Sequence, residues 1–276
     1  MKTLVPPIKI QGIKTKLIPW IEGKIKDIEI GTWIEPFMGS WAVWFNLAWK
    51  NAIFWDTNPH LINFYNAIKD SSITKISARE FLESEWKKLS IGWVDYYKEV
   101  RVRFNALHAP LDFLFLNRSC FNWIIRFNGK WWFNVPFGHK PERFAKAYVT
   151  KIVNQIWWVE EKIRLSNWEF KLSNFANTIK EAWVNDLIYC DPPYIARHSD
   201  YFNKWEENDE WNLKKALDES WAKYVVSSWL GNEYRKSEFI ESVWGDCSIL
   251  TKDHFYHVWA KESNRKPMQE ALLSNF

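Results

Sequence analysis

The segment Asp191-Pro192-Pro193-Tyr194 follows the apolar run Leu187-Ile188-Tyr189-Cys190, and these residue types in this order can clamp a planar amino group. The run predicts a buried strand of a parallel sheet. Ligands of such sheets gather at the carboxyl ends of the strands, so a carboxylate placed there faces a site. Asp191 can accept one hydrogen bond from an amino group. Proline has no N–H, so its carbonyls act only as acceptors, and the ring torsions hold them in place. Tyr194 adds an aromatic face on which a base can stack. Asp-Pro-Pro is also a common loop breaker after a strand; the tyrosine and the preceding apolar run favour the chemical reading.

A second constellation lies upstream. Glu35-Pro36-Phe37-Met38-Gly39-Ser40-Trp41 ends a strand-like segment, Thr32 to Glu35. A glycine in the turn that follows lets a ligand approach the backbone, because no β-carbon blocks it. Asp56 follows Glu35 by 21 residues at the end of a second short strand, about the ~20-residue spacing at which an acidic side chain grips ribose hydroxyls in nucleotide-binding α/β folds. Alone, Asp56 could equally cap the next helix.

The elements that position these residues alternate. Strands are expected at Thr32–Glu35 and Ala52–Trp55, with helices at Trp41–Ala48 and, opened by Pro59, Leu61–Ile68. Such alternation implies a parallel, doubly wound sheet. From about 70 the pattern turns to charged helical segments, Arg79–Leu89 and Asp95–Leu107, then to an aromatic, Asn- and Arg-rich stretch over 117–138. Asn128-Gly129 is a hairpin-turn signal within that stretch. A long helix is expected over Pro141–Lys162. Strands return near Phe170, Ile188, Val225 and Ile249, with helices near 210–220 and 233–242 and a last strand at Ala271–Leu273. The simplest account is one α/β domain, 1–69 and 167–276, with a helical and hairpin module, 70–166, inserted in it.

Composition narrows the setting. A net charge of +4 is compatible with a polyanionic partner and does not demand one. Cys120, Cys190 and Cys247 show no metal-ligand spacing, which argues for a reducing compartment and against a disulfide scaffold or a zinc site. The first ten residues carry Lys2, Pro6, Pro7 and Lys9 and resemble no signal peptide, and no apolar run is long enough to cross a bilayer. A soluble, cytoplasmic, monomeric protein that uses no metal is the expectation.

With these motifs in this order, the chain resembles the Dam-like adenine-specific DNA methyltransferase family over nearly its whole length. Lys9-Ile10-Gln11-Gly12-Ile13-Lys14 is similar to the family's amino-terminal Lys-Trp-x-Gly-Gly-Lys. Glu35 to Gly39 is similar to its Glu-Pro-Phe-x-Gly-x-Gly cofactor motif, and Asp56-Thr57-Asn58 to its ribose-binding turn. Asn117 to Asn122, Arg126 to Asn128 and Phe133 to Gly138 are similar to its DNA-reading hairpin. Glu270 to Phe276 resembles its closing strand.

The resemblance implies a three-layer α/β fold of the class I methyltransferase-like type, with S-adenosylmethionine as cofactor and double-stranded DNA as substrate. It also leaves room for a cognate restriction endonuclease as partner. It assigns the cofactor to Gln11, Lys14, Glu35, Phe37, Gly39, Asp56, Asn174, Phe175 and Asp191, with Asn174 standing where the family has aspartate. Catalysis falls to Asp191, Pro192 and Tyr194. Arg118, Phe121, Asn122, Arg126, Asn128 and Pro136 would meet DNA, with Lys140, Arg143 and Lys146 as candidate phosphate contacts. Read without the family, the same hairpin residues could simply make turns, and the basic run could be a solvated face.

Departures from the family pattern involve tryptophan. The chain has 21 tryptophans and 9 glycines. Trp41 stands at the second glycine of the cofactor turn, and Trp123 follows Asn122 where the family has glycine. An indole at Trp41 could obstruct the cofactor, which leaves a catalytically impaired DNA-binding homologue as the alternative. An RNA methyltransferase is a third reading, disfavoured by the match to a duplex-reading hairpin.

Overall fold

The computed structural model describes residues 3–10, 14–39, 42–195, 205–232, 235–236, 239–254 and 268–276. Gln11 and Trp41 lie outside the described residues, and so does the side chain of Arg143.

The short apolar runs form the sheet. Strands β1 (Trp33–Glu35), β2 (Asn51–Asp56), β3 (Asn167–Leu172), β4 (Leu187–Cys190) and β5 (Lys223–Asn232) are parallel. β6 (Arg235–Lys236) folds back on the end of β5. β7 (Ser248–His254) and β8 (Met268–Ser274) complete the sheet, with β8 antiparallel to both β5 and β7. The main path runs β3-β2-β1-β4-β5-β8-β7. Every residue of β1 and β4 is buried, which explains why these central strands read as continuous apolar segments rather than alternating ones.

Alternate residues point to opposite faces, and two cores result. Trp33, Phe54, Tyr189 and Val225 face one layer, made of α1 (Ile18–Ile25), α2 (Ala42–Leu47), α3 (Pro59–Lys69) and the inserted helices α4 (Lys75–Leu107), α5 (Pro110–Ser119) and α6 (Lys146–Arg164). Ile34, Trp55, Ile188, Cys190 and Val226 face the other, made of α7 (Phe175–Ile179), α8 (Glu207–Glu219) and α9 (Phe239–Trp244). The inserted helices share the first core through Leu82, Val100, Phe104, Phe115 and Val149. No helix among the described residues is long and apolar enough to cross a membrane.

Local chemistry sets several boundaries. Asn58 caps α3, its Oδ1 accepting from the backbone N–H of His60 (3.0 Å) and Leu61 (3.4 Å), with Pro59 in the first turn. The two charged helices expected at 79–89 and 95–107 join as one bent element, broken at Trp93 (φ 46°, ψ −124°). The helix expected from Pro141 begins as a 3-10 turn, Pro141–Phe144, and restarts at Lys146 because Ala145 is extended (φ −53°, ψ 151°). The hairpin is shorter than its sequence suggests. Asn117, Arg118 and Ser119 end α5, and the ribbon reduces to two antiparallel bridges, Cys120 with Phe137 and Phe127 with Phe133.

A buried ion cluster braces the bend in α4. Arg103 donates through Nε to Asp112 Oδ2 of α5 (2.8 Å) and through Nη2 to Glu85 Oε2 across the bend (2.8 Å). Glu85 also accepts from Tyr96 Oη (2.6 Å) and Lys88 Nζ (2.8 Å). Burial pushes the Glu85 carboxyl up, but the bonds from Lys88, Tyr96 and Arg103 outweigh it and hold the group below the usual carboxylate range. Removing Arg103 leaves the buried Asp112 without its cation and Glu85 with Lys88 alone. We expect Arg103→Ala to destabilise the protein by about 3 kcal/mol, the low end for a buried pair because the guanidinium is 37 % exposed. Urea unfolding of the two proteins at pH 7 measures it.

Candidate active site

The strand order reverses between β1 and β4, and ligands of open α/β sheets bind where it does. Glu35 ends β1 and is buried. Trp33, two residues earlier on the same strand, donates its indole N–H to Glu35 Oε2 (3.1 Å) and stacks on Tyr189 of β4 at 5.8 Å. Burial pushes the Glu35 carboxyl well above the usual range. The Trp33 bond pulls it back, and the charges of Asp191 and Asp56 raise it further. A carboxylate so placed is stabilised by a cationic ligand.

Asp56 ends β2 and ties two turns together. Its Oδ2 accepts from the Gly39 N–H (3.0 Å) and its Oδ1 from the Asn58 N–H (2.7 Å). Gly39 has φ +37°, a left-handed value that glycine adopts without a β-carbon penalty. Burial raises the Asp56 pKa, and backbone bonds from Asn58, Gly39 and Thr57 oppose it. Beside this turn Phe37 stacks on Phe175 at 5.5 Å, with Trp205 edge-on at 5.4 Å from Phe37. Exposed Asn174 caps α7, its Oδ1 accepting from the Asn177 N–H (3.1 Å).

The third part of the site is built around a buried cation. Lys14 is 3 % exposed, and its ammonium lies 3.2 Å from Glu270 Oε2 and 3.6 Å from Asp191 Oδ1. It also hydrogen-bonds the Tyr194 hydroxyl and sits 4.5 Å from the centre of that ring. Tyr194 Oη donates to Glu270 Oε2 (3.0 Å) and lies 3.4 Å from Ser227 Oγ of β5. Pro192 is buried, whereas the Asp191 carboxylate is 21 % exposed. Glu270, fully buried near the start of β8, was not among the residues the sequence singled out. Its signals in the sequence are its place at the start of the closing-strand motif and a charge opening the otherwise apolar run Ala271-Leu272-Leu273.

Lys14, Glu35, Gly39, Asp56, Asp191, Pro192 and Tyr194 thus belong to the carboxyl-end rim, with Phe37, Asn174 and Phe175 along the same edge. The residues expected to meet DNA divide. Arg118 is buried, donating through Nε to the Pro7 carbonyl (2.7 Å) and through Nη2 to Gln155 Oε1. Arg118 is therefore a correction: its charge anchors the amino-terminal segment and is not on a surface that a duplex reaches. Asn128 spends its side-chain oxygen on the hairpin turn, accepting from the N–H of Lys130 (2.9 Å) and Trp132 (3.1 Å). Paired recognition of an adenine edge needs that oxygen, so Asn128 is a turn residue here. Arg126 Nε donates to Asn134 Oδ1 across the ribbon (2.8 Å). Phe121, Asn122 and Pro136 are exposed, as are Lys140 and Lys146.

A separate groove lined by Asp218, Tyr224, Asp246 and Cys247 lies at the amino-terminal ends of β5 and β7. That is the wrong end of a parallel sheet for chemistry.

Comparison with known proteins identifies the family. Residues 11–258 match the family model described as D12 class N6 adenine-specific DNA methyltransferase. The chain is 28 % identical over 280 residues to the Type II methyltransferase M.FokI of Planomicrobium okeanokoites, covering 98 % of this chain and 42 % of that protein. It is 34 % identical over 166 residues to a DNA adenine methylase of Serratia marcescens, covering 58 % of this chain and 57 % of that one. With the DNA adenine methylase of Vibrio cholerae the identity is 32 % over 191 residues, 64 % of each chain. The chain therefore spans less than two thirds of the length of these relatives.

The buried Glu35 carboxyl gives a stability test that needs no ligand. A carboxyl whose folded pKa lies above its unfolded value destabilises the fold as pH rises through that interval. We expect Glu35→Gln to melt higher than the parent at pH 8, with the difference shrinking as pH falls to about 4 and below, where the unfolded parent also takes up the proton. Calorimetry across that range reads the sign.

Proposed function

The chain belongs to the D12 class N6 adenine-specific DNA methyltransferases, and from that membership we propose that it moves a methyl group from S-adenosylmethionine to the exocyclic amino group of an adenine in duplex DNA. The observation that carries the reading is Asp191-Pro192-Pro193-Tyr194 leaving β4 beside Glu35, at the reversal of the strand order. The fit to the cofactor rests on the same rim: a buried Glu35 whose charge a cation would stabilise, an aromatic wall at Phe37 and Phe175, and Asp56 between two turns. Glu35 would hold the cofactor's ammonium, Asp56 its ribose hydroxyls, and Phe37 and Phe175 its purine. Bound there, S-adenosylmethionine supplies an electrophilic methyl on a sulfonium centre.

The protein's part is positioning. An adenine amino nitrogen is a poor nucleophile because its lone pair is delocalised into the ring. The Asp191 carboxylate and the Pro192 carbonyl would accept its two hydrogens out of the ring plane, which draws the nitrogen toward a tetrahedral arrangement and frees the lone pair. Pro193 has no N–H to compete with that amino group for its acceptors. Glu270 and Lys14 act through Tyr194, fixing the ring on which the target base would stack. That base must leave the duplex to reach them, at a cost of a few kcal/mol. Residues 70–166 would recognise the target. Exposed Phe121, Asn122 and Pro136 are suited to meet the bases, and Lys140 and Lys146 to meet phosphates. Likeness to a type II methyltransferase extends the reading to a restriction endonuclease partner, and we take the protein to act as a cytoplasmic monomer.

Two variants test the assignment. Asp191→Ala should abolish transfer of tritiated methyl to DNA while leaving duplex affinity within a few-fold, since the clamp acts in the transition state; substantial turnover would remove Asp191 from the chemistry. Glu270→Gln should lower kcat roughly tenfold to hundredfold, the worth of one charge-assisted hydrogen bond of about 1.5–3 kcal/mol, with KM for DNA little changed. A variant that lost cofactor binding, DNA binding and melting temperature together would mark Glu270 as merely structural.

A further inference from the structure

Three turns of this protein carry tryptophan where the backbone favours a residue without a β-carbon. Ile124 N–H donates to the Phe121 carbonyl (3.2 Å), closing a turn whose central residues are Asn122 (φ 49°, ψ 22°) and Trp123 (φ 56°). Positive φ at both central positions defines a type I′ turn, for which Asn-Gly is the preferred pair. The hairpin tip makes the same demand. Trp131 N–H donates to the Asn128 carbonyl (2.9 Å) and Asn128 N–H to the Trp132 carbonyl (3.0 Å). This is a three-residue loop that ends in a left-handed residue, Trp131 (φ 59°), and that position belongs to glycine. The third is Trp93 in the bend of α4, at φ 46° and ψ −124°. Those angles are the first central position of a type II′ turn, a region open in practice to glycine.

A bulky aromatic side chain at positive φ sets its β-carbon against its own backbone. The other non-glycine residues at positive φ among those described are Ser71, His108, Asn122 and His139, small or hydrogen-bonding side chains of the kinds that tolerate it. Composition points the same way from an independent direction. Average usage of about 7 % would give a chain of 276 residues roughly nineteen glycines. It has 9, against 21 tryptophans. A deficit of one residue and an excess of the other share a cause if one codon is read in two ways. UGA differs from the glycine codon GGA only in its first base and from the tryptophan codon UGG only in its last.

We propose that UGA codons of this gene are decoded as glycine in the cell that makes the protein, so that positions 93, 123 and 131 are glycine in the native molecule. The type I′ turn then has its Asn-Gly pair, the hairpin its closing glycine, and the bend in α4 a second glycine directly after Gly92. Trp41, two residues beyond Gly39 in the cofactor turn and outside the described residues, falls under the same codon test.

The coding sequence is the first readout: UGA at all three positions is expected, and UGG at any of them overturns the proposal. Peptide mass spectrometry of the protein isolated from its own cell reads the residues directly. Glycine at 93, 123 and 131 supports the assignment, and tryptophan at any of them defeats it. In recombinant chains, Trp123→Gly and Trp131→Gly should each raise the melting temperature by roughly 2–4 °C, although removing an indole ordinarily lowers it. If neither variant melts higher, the backbone argument fails and the proposal with it.

Discussion

An ammonium group taken out of water must be met by negative charge, and the burial of Lys14 imposes that requirement on the whole rim. Its partners come from distant parts of the chain: Asp191 and Tyr194 from the turn after β4, and Glu270 from β8. One contact thereby closes the amino-terminal segment over the sheet and holds the Asp-Pro-Pro-Tyr turn against its far side. Antiparallel β8 makes this possible. Running against β5, with Glu270 opposite Trp229, it brings its first residues level with the carboxyl ends of the parallel strands. The strand farthest along the sequence thus supports the turn on which the proposed chemistry depends.

Around that cation the rim holds more negative charge than it neutralises. Glu35 and Asp56 stand close enough to Asp191 to raise the Glu35 pKa beyond what burial does. Backbone N–H groups of Gly39 and Asn58 relieve Asp56, and the Trp33 indole relieves Glu35 only in part. Functional sites commonly keep such an unfavourable arrangement because a ligand of opposite charge resolves it, and the free protein loses some stability as a result. Residues that only hold the structure show the reverse. Glu85 is equally buried, but three donors satisfy it and its pKa falls.

Much of the fold was legible from local chemistry. Leu187–Cys190 read as a buried strand because no charged residue interrupts it before Asp191, Thr32–Glu35 read as strand-like, and Pro59 announced its helix as a first-turn proline; that Asn58 rather than Asp56 caps this helix came from the structure. The bend in α4 was legible only as an interruption between two helices. Arg118 was misread for a physical reason. An arginine in an Asn-rich aromatic stretch looks like a surface cation, and only its acceptors, the Pro7 carbonyl and Gln155 Oε1, explain its burial. Those acceptors lie 111 and 37 residues away in the chain, beyond any local pattern.

The sequence by itself determined the kind of site, because Asp-Pro-Pro-Tyr, the glycine turn after Glu35 and the spacing to Asp56 are properties of neighbouring residues. It also determined that the sheet is mostly parallel and wound in two directions, since alternating apolar strands and helices have few other ways to bury their surfaces; antiparallel β8 is the exception on its main path. Tertiary structure alone decided which charges serve the site and which serve the scaffold. Glu270 and Arg118 are both charged residues beside apolar runs, and their neighbours in the chain do not reveal which one serves the site. Their roles follow from where β8 and α5 deliver them: Glu270 to Lys14 and Tyr194 on the rim, Arg118 to Pro7 and Gln155 in the interior. Burial and partnership are long-range quantities, and a charge acquires its function only when the fold supplies the groups that answer it.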